Sequence, residues 1–354
     1  MNEVLLGKRK INPFTKPYII AEIGVNHGGS IPLAKKMINL AKRGGADAAK
    51  FQSYKAKTLA SKNSPAYWDT KKENTKSQFE LFKKFDSFSE KDYKKLASHC
   101  KKVGIDFIST PFDHEAVDYL DPLVPFFKIS SSDITNIPLL RKISTKKKPI
   151  ILSTGASSIY EIKNALKVLK TNKIKNNVVL MHCILNYPTK NENANLRMIK
   201  GLKKDFPNNL IGYSDHTSPD SNLSSLLAAF ILGAVVLEKH FTYNKSLHGN
   251  DHYHSMDYKN LINFKGNLEK IFSLLGKNEE KKPILSENIS RKNARRSIVL
   301  KQNIDIGEKI SENHLICKRP GHGISPIHWN EVLGQFSNKK MEIDHILRWS
   351  DIKK

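Results

Sequence analysis

From residue 18 onward, short and almost wholly apolar runs alternate with longer stretches whose apolar residues recur every three or four positions. The runs are short and bounded by Gly, Ser, Thr and Pro, so they predict buried strands. The periodic stretches predict helices. YIIAEIG (Tyr18–Gly24) is the first strand; IPLAKKMINLAKRGG follows as a helix, with Leu33, Met37, Leu40 and Ala41 on one face and Gly44 as its stop. AAKFQ, IDFISTPF, FFKIS, PIILSTG, NVVLMHC, LIGYSDH and AVVLEKHF are the next seven strands, and a helical stretch follows each of them in the chain. After AAKFQ comes a polar segment, residues 53–87, too long for an ordinary connection and read as a lid; Ser89 and Asp92 then open a helix as a capping box. Eight strand–helix units are the count that closes a (β/α)₈ barrel, an α/β fold.

The pattern changes after Gly276. KNEEKKPILSENI is charged, carries a proline and reads as a linker over 277–292. From 293 to 354, SIVL, DIGE, LICKRPGHGISP and ILRWSDI predict a small module of short strands, so the expected domains are a barrel over 1–276 and a β-rich unit over 293–354.

A barrel gathers the C-terminal ends of its strands on one catalytic face. Here those ends carry Glu22, Lys50 with Gln52, Thr110, Lys128 with Ser131, Ser153, His182, Ser214 with His216, and Glu238 with His240. The unit over residues 210–241 is the most telling. Its two strands should lie parallel and adjacent, which brings His216 and His240 to one end of the sheet, close enough to share a metal ion, with Ser214, Asp215, Glu238 and Lys239 around them. Two histidines leave coordination positions open for water and a substrate oxygen. Oxygen-rich surroundings favour manganese or magnesium over a structural zinc. Lys50 and Lys128 with Thr110, Ser131, Ser153 and Ser214 suit a ligand carrying both a phosphate and a carboxylate. Glu22 is a candidate acid or base. His182, His252 and His254 are read as neighbours of the site, not ligands, and Cys183 as a small core residue, not a nucleophile. Tyr67 and Trp68, in the long segment, either touch the substrate or pin that segment.

Composition narrows the partners. The net charge of +25 is spread over lysine pairs and triplets on helical polar faces, without interleaved aromatics or a nucleic-acid motif. It argues for a field that attracts an anionic substrate, not for nucleic acid. There is no Walker loop and no G-x-G-x-x-G. No apolar run approaches the roughly 20 residues of a membrane span, and the N-terminus lacks the order of a signal peptide. Cys100, Cys183 and Cys317, odd in number and far apart, predict a reducing cytoplasm.

The stretches AEIGVNHGG, AAKFQ, FISTPFD, FKISSSD, ILSTGASS, MHCILNYP, GYSDHT, EKHFT and GNDH, followed by ARRSIVL and KRPGHGISP, resemble the sialic acid synthase family over nearly the whole chain. That family comprises the N-acetylneuraminate, legionaminate and pseudaminate synthases. The resemblance implies a TIM barrel followed by an antifreeze-like (SAF, β-clip) domain. It implies condensation of phosphoenolpyruvate with the open-chain aldehyde of an N-acetylated aminosugar, giving a nine-carbon 2-keto acid and phosphate by C–O cleavage. It implies a divalent metal, manganese foremost and magnesium or cobalt otherwise, on His216 and His240. Lys50, Thr110, Lys128, Ser131, Ser153 and Ser214 would hold phosphoenolpyruvate; Glu22 would be the essential acidic residue, Tyr187 a sugar contact and Asp251 an acid near the metal. Arg319 would reach the sugar pocket of the partner subunit in a domain-swapped homodimer. Leu185 stands where some members have Asn, with Asn186 one place later, which leaves the sugar open. Two other readings compete. One is a barrel aldolase with Lys128 as a Schiff-base lysine; the other is a non-catalytic binding protein.

Overall fold

The computed structural model describes residues 2–353 apart from 69, 71–72, 171–177 and 250. It divides into two compact units, residues 1–276 and 277–354. The first opens with a hairpin, β1 (Val4–Leu6) against β2 (Arg9–Ile11). Eight parallel strands follow: β3 (Tyr18–Gly24), β4 (Ala48–Ser53), β5 (Asp106–Pro111), β6 (Phe127–Ile129), β7 (Ile150–Ser153), β8 (Val178–His182), β9 (Leu210–Asp215) and β10 (Val236–His240). Their order is β5-β4-β3-β10-β9-β8-β7-β6. The two end strands, β5 and β6, are consecutive in sequence and lie against each other, so the sheet curls into a barrel. The eight predicted strand runs are these eight strands.

Alternation along the strands makes two cores. Ile20, Ala48, Ile108, Phe126, Ile151, Val179, Met181 and Val236 point inward and fill the lower barrel. Val4, Leu6 and Ile11 of the hairpin join that cluster, so β1 and β2 cap the barrel at the N-terminal ends of its strands. Their neighbours one position along, among them Ile19, Ala49, Phe107, Ile150, Leu180 and Leu237, point outward and pack on the helices. The helix Ile31–Gly44 shows how the ends are set: Ser30 Oγ accepts from Leu33 N, Pro32 sits in the first turn, and Gly45 (φ 93°) takes the left-handed cap one residue beyond the predicted stop. The capping box before the helix Glu90–Val103 forms as expected, with Ser89 N donating to Asp92 (3.1 Å).

The described part of the 53–87 segment holds two short helices, Ala56–Leu59 and Gln78–Phe85. Trp68 Nε1 donates to Glu73 O (3.2 Å), so its polar edge is spent inside the segment. The second unit pairs β11 (Ser297–Leu300) with β12 (Leu315–Lys318), and β13 (Phe336–Ser337) with β14 (Ile352–Lys353). Its own core contains Ile298, Leu300, Ile310, Leu315, Val332 and Leu347. Residues 277–296 are exposed throughout and include the helix Asn288–Ala294.

Candidate active site

Above the apolar floor, the inward positions of the strands become polar. Glu22, Lys50, Thr110, Lys128, Ser131, Ser153, Tyr187, Ser214, His216 and His240 line one cavity at the C-terminal ends, joined by Gln52, Cys183 and Glu238. Ten of the sequence-predicted residues thus meet in one place. A larger cleft of about 860 Å³ lies among Lys8, Arg9, Asp47 and Asp106, near the N-terminal ends of the strands. Barrel chemistry belongs to the opposite, C-terminal face, and the polar mouth there gathers convergent acids, bases and hydroxyls.

Glu22 ends β3 where the register against β4 shifts, between Glu22 and Gly24. Such an irregularity re-aims a side chain. Gly24 has φ +55°, and a Cβ there would come within 3.3 Å of both Glu22 Oε1 and Gln52 Nε2, so the turn needs glycine. Gln52 Nε2 donates to Glu22 Oε1 (2.9 Å), and Lys50 Nζ lies 2.8 Å from Glu22 Oε2. Glu238 sits between the lysines, 3.7 Å from Lys50 and 3.6 Å from Lys128, and accepts from Ser214 Oγ (3.0 Å). Lys50 also donates to Thr110 (3.3 Å) and Lys128 to Ser153 (2.8 Å). Two cations and two carboxylates therefore form one buried chain.

Their titration follows from that contact. Burial raises the pKa of Glu22 above the ordinary carboxylate value despite the opposing pull of Lys50. Burial acts the same way on Glu238, but Lys128 and Lys50 outweigh it and hold it low. Burial lowers Lys128, whereas on Lys50 the two glutamates win and raise it. The mouth thus separates one carboxyl that can carry a proton from one that stays charged. Glu238 had not been assigned a role; its parity with His240 in EKH was the available signal.

His216 Nδ1 faces Ile184 O at 2.6 Å. A carbonyl oxygen can only accept, so Nδ1 carries the proton and Nε2 keeps its lone pair. The His216 and His240 rings lie 5.8 Å apart, with Tyr187 4.3 Å from the first and 6.0 Å from the second. His240 Nδ1 is buried without a hydrogen-bond partner among the described residues and lies 3.7 Å from Asp251 Oδ2. Asp251, pushed up to about 7 by burial and by the charge of Glu22, lies with its other oxygen 3.8 Å from His254 Nε2. An orphaned buried imidazole nitrogen beside a carboxylate and further imidazoles fits a divalent cation.

Several neighbours fall elsewhere. His182 points out of the mouth, not into it: Nε2 contacts Ala194 O (2.8 Å) and the ring stacks on Tyr213. Cys183, one residue on, points in, 3.1 Å from Ser131 Oγ, with burial raising its thiol pKa. Asp215 and Lys239 likewise turn outward and form a fully buried pair at 2.8 Å, while Ser214 and Glu238 turn inward. His252 Nδ1 is engaged with Thr242 Oγ1 (2.8 Å). Leu185 is half-buried and Asn186 exposed; neither lines the cavity. Asn250, of the GNDH stretch, lies outside the described residues. Arg319 belongs to the second unit, where it is exposed.

Comparison with known proteins gives the chain its relatives. Residues 37–280 match the NeuB family and residues 295–353 the SAF domain. The chain is 42% identical over 338 residues to the N,N'-diacetyllegionaminic acid synthase of Campylobacter jejuni, covering 94% of this chain and 99% of that one. It is 34% identical over 349 residues to the pseudaminic acid synthase of Helicobacter pylori, covering 96% and 98%. The crystal structure of an N-acetylneuraminic acid synthetase from Leptospira borgpetersenii superposes with a TM-score of 0.72 at 34% identity, over 81% of this chain and 94% of that one.

Proposed function

The chain belongs to the NeuB family, and from that premise we propose that it condenses phosphoenolpyruvate with the open-chain aldehyde of an N-acetylated aminosugar. The products are a nine-carbon 2-keto acid and phosphate. The observation that carries this reading is the buried mouth in which Lys50 and Lys128 meet Thr110, Ser131, Ser153 and Ser214. Cations and hydroxyls at such spacing neutralise and orient a phosphate and a carboxylate together.

In this mechanism C3 of phosphoenolpyruvate forms the new bond to the aldehyde carbon, the carbonyl π pair passes to the aldehyde oxygen, which receives the proton that Glu22 draws from the incoming water, and C2 becomes electron-poor. Water adds at C2, and Glu22 takes its proton, a task suited to a carboxyl whose pKa burial has raised. The C2–O bond then breaks, and phosphate leaves with the bridging oxygen as the ketone forms. Glu238, kept charged between the lysines, opposes the charge developing at C2. Tyr187 packs against the sugar. His216 and His240 would hold the divalent ion, which we take to be manganese, with magnesium and cobalt as the alternatives. When bound, the ion supplies Lewis-acid polarisation of a carbonyl. Arg319 is assigned to the sugar pocket of the partner subunit in a domain-swapped homodimer, a reading supported by the stretch KRPGHGISP. No helix among the described residues is long and apolar enough to cross a membrane. The three cysteines are free, which supports a cytoplasmic location.

For the sugar, we assign a 2,4-diacetamido-trideoxyhexose over N-acetylmannosamine. Two legionaminic acid synthases are 42% and 38% identical to this chain over nearly its full length. The N-acetylneuraminate-9-phosphate synthases of mouse and human are 34% and 33% identical over 85% of it. The test is phosphate release from phosphoenolpyruvate with manganese and each sugar in turn. Release with the diacetamido sugar alone is expected. Release with N-acetylmannosamine alone overturns the sugar assignment, and release with neither overturns the synthase. Glu22→Gln should lower turnover by at least about 100-fold while the protein stays folded; near-normal turnover removes Glu22 from the mechanism.

A further inference from the structure

The loop that follows β10 returns to the barrel mouth and brings Asp251 and His254 beside His240. The ligand atoms of His240, Asp251 and His254 all lie within 4.8 Å of one another. His254 is fully buried and His240 nearly so. The two carboxylate contacts, 3.7 Å to His240 and 3.8 Å to His254, are too long for hydrogen bonds. They are close to the spacing of donors arranged around a cation, where bonds of about 2.1 Å set neighbouring donors about 3.0–3.4 Å apart and opposite ones about 4.2 Å apart. The three groups lie close enough together to share one ion, and His240 Nδ1 has no hydrogen-bond partner among the described residues.

We propose that His254 is a protein ligand of the metal centre, joining the strand-end histidines His216 and His240 and, with Asp251, completing a three-histidine, one-carboxylate donor set. The inference rests on reading the mouth as a metal-dependent synthase and changes what that centre selects. Two strand-end histidines in oxygen-rich surroundings suit manganese or magnesium. A loop histidine added to them makes the set nitrogen-rich, which favours cobalt(II), iron(II) or zinc over magnesium. His254 would also tie the 251–254 loop to the ion, so that filling the centre orders the loop.

The test titrates metal-free full-length protein with Co²⁺, followed by calorimetry and by the visible absorption of the bound ion, with Mg²⁺ as competitor. Wild-type protein should bind Co²⁺ far more tightly than Mg²⁺. His254→Gln should weaken Co²⁺ by at least about tenfold and alter its spectrum, while Mg²⁺ affinity changes little. Loss of at least one imidazole is a larger change than loss of an outer partner, for which about 10- to 100-fold is typical. Asp251→Asn, nearly isosteric, is the second variant and should show the same loss if His254→Gln does not fold. An unchanged Co²⁺ affinity and spectrum in the folded variant, with wild-type phosphate release intact, overturns the role of His254 and leaves the synthase standing. Failure of wild-type protein to bind any of these ions would sink the metal reading itself, and this inference with it.

Discussion

His27 lies in the turn after the first barrel strand, stacked on Phe88 with ring centroids 4.2 Å apart. Its Nδ1 accepts from Gly29 N (3.0 Å), so the ring is held as a neutral tautomer. Burial lowers its pKa to about 4. Between pH 6.5 and 4 the unfolded chain therefore takes up a proton that the folded chain refuses, and stability falls as the pH drops through that window. The loss from this residue is about 3 kcal/mol by pH 4. His27→Phe keeps the stack and removes the titration, so urea midpoints at pH 7 and pH 4.5 should converge relative to wild type; an unchanged gap would refute the assignment. The same scale shows what a linear pattern conceals. Lys50, Lys128, Ser214, His216 and His240 were legible because each ends an apolar run whose phase was plain. His182 and Cys183 were misplaced because adjacent residues at a strand end face opposite ways, and a short run such as NVVLMHC does not announce which parity is inside. His254 reads from sequence as a neighbour because a 17-residue excursion separates the end of β10 from the next helix (Tyr258–Leu275), and no periodicity tells how such a loop folds back.

At the scale of elements, the turn at Gly24 is the joint on which the acid depends. Gly24→Ala must place a side chain at φ +55° against Glu22 and Gln52. The backbone strain costs about 1–2 kcal/mol, but the displaced carboxylate should cost more in turnover than in stability. A kcat that falls at least tenfold with a small shift in melting temperature is the expected result; equal losses would make the turn merely structural. The barrel strands could be read because each is a continuous apolar run between turn residues, which is how strands buried on both faces present themselves. The β1–β2 hairpin could not. Its strands have three residues each, and Val4, Leu6 and Ile11 gain meaning only when they meet the barrel's inner residues. The 53–87 segment was legible as an unusual connection, but its short helices lacked the length for a periodic signal.

For the whole molecule, the second unit has a core of its own, separate from the two of the barrel, and two cooperative units are the expectation. Leu347 is fully buried in the second. Leu347→Ala should lower that unit's transition by about 2–5 kcal/mol and leave the transition of the barrel in place, as followed by calorimetry; a common shift of both would show one unit. Charge tells a different story at long and short range. The chain carries +25, a field that draws anions from a distance. Yet in the mouth two lysines stand against two glutamates within 3.7 Å, and the full charges sum to zero. An arriving phosphate ester finds no surplus waiting for it. Its charge has to be matched by something that comes with it, a proton on Glu22 or a dication on the histidines. The expected consequence is a coincidence detector, with phosphate ester and dication each strengthening the other's binding by the same factor. A stray phosphate or sulfate, arriving unaccompanied, should then bind weakly, which anion titration of metal-free protein would check.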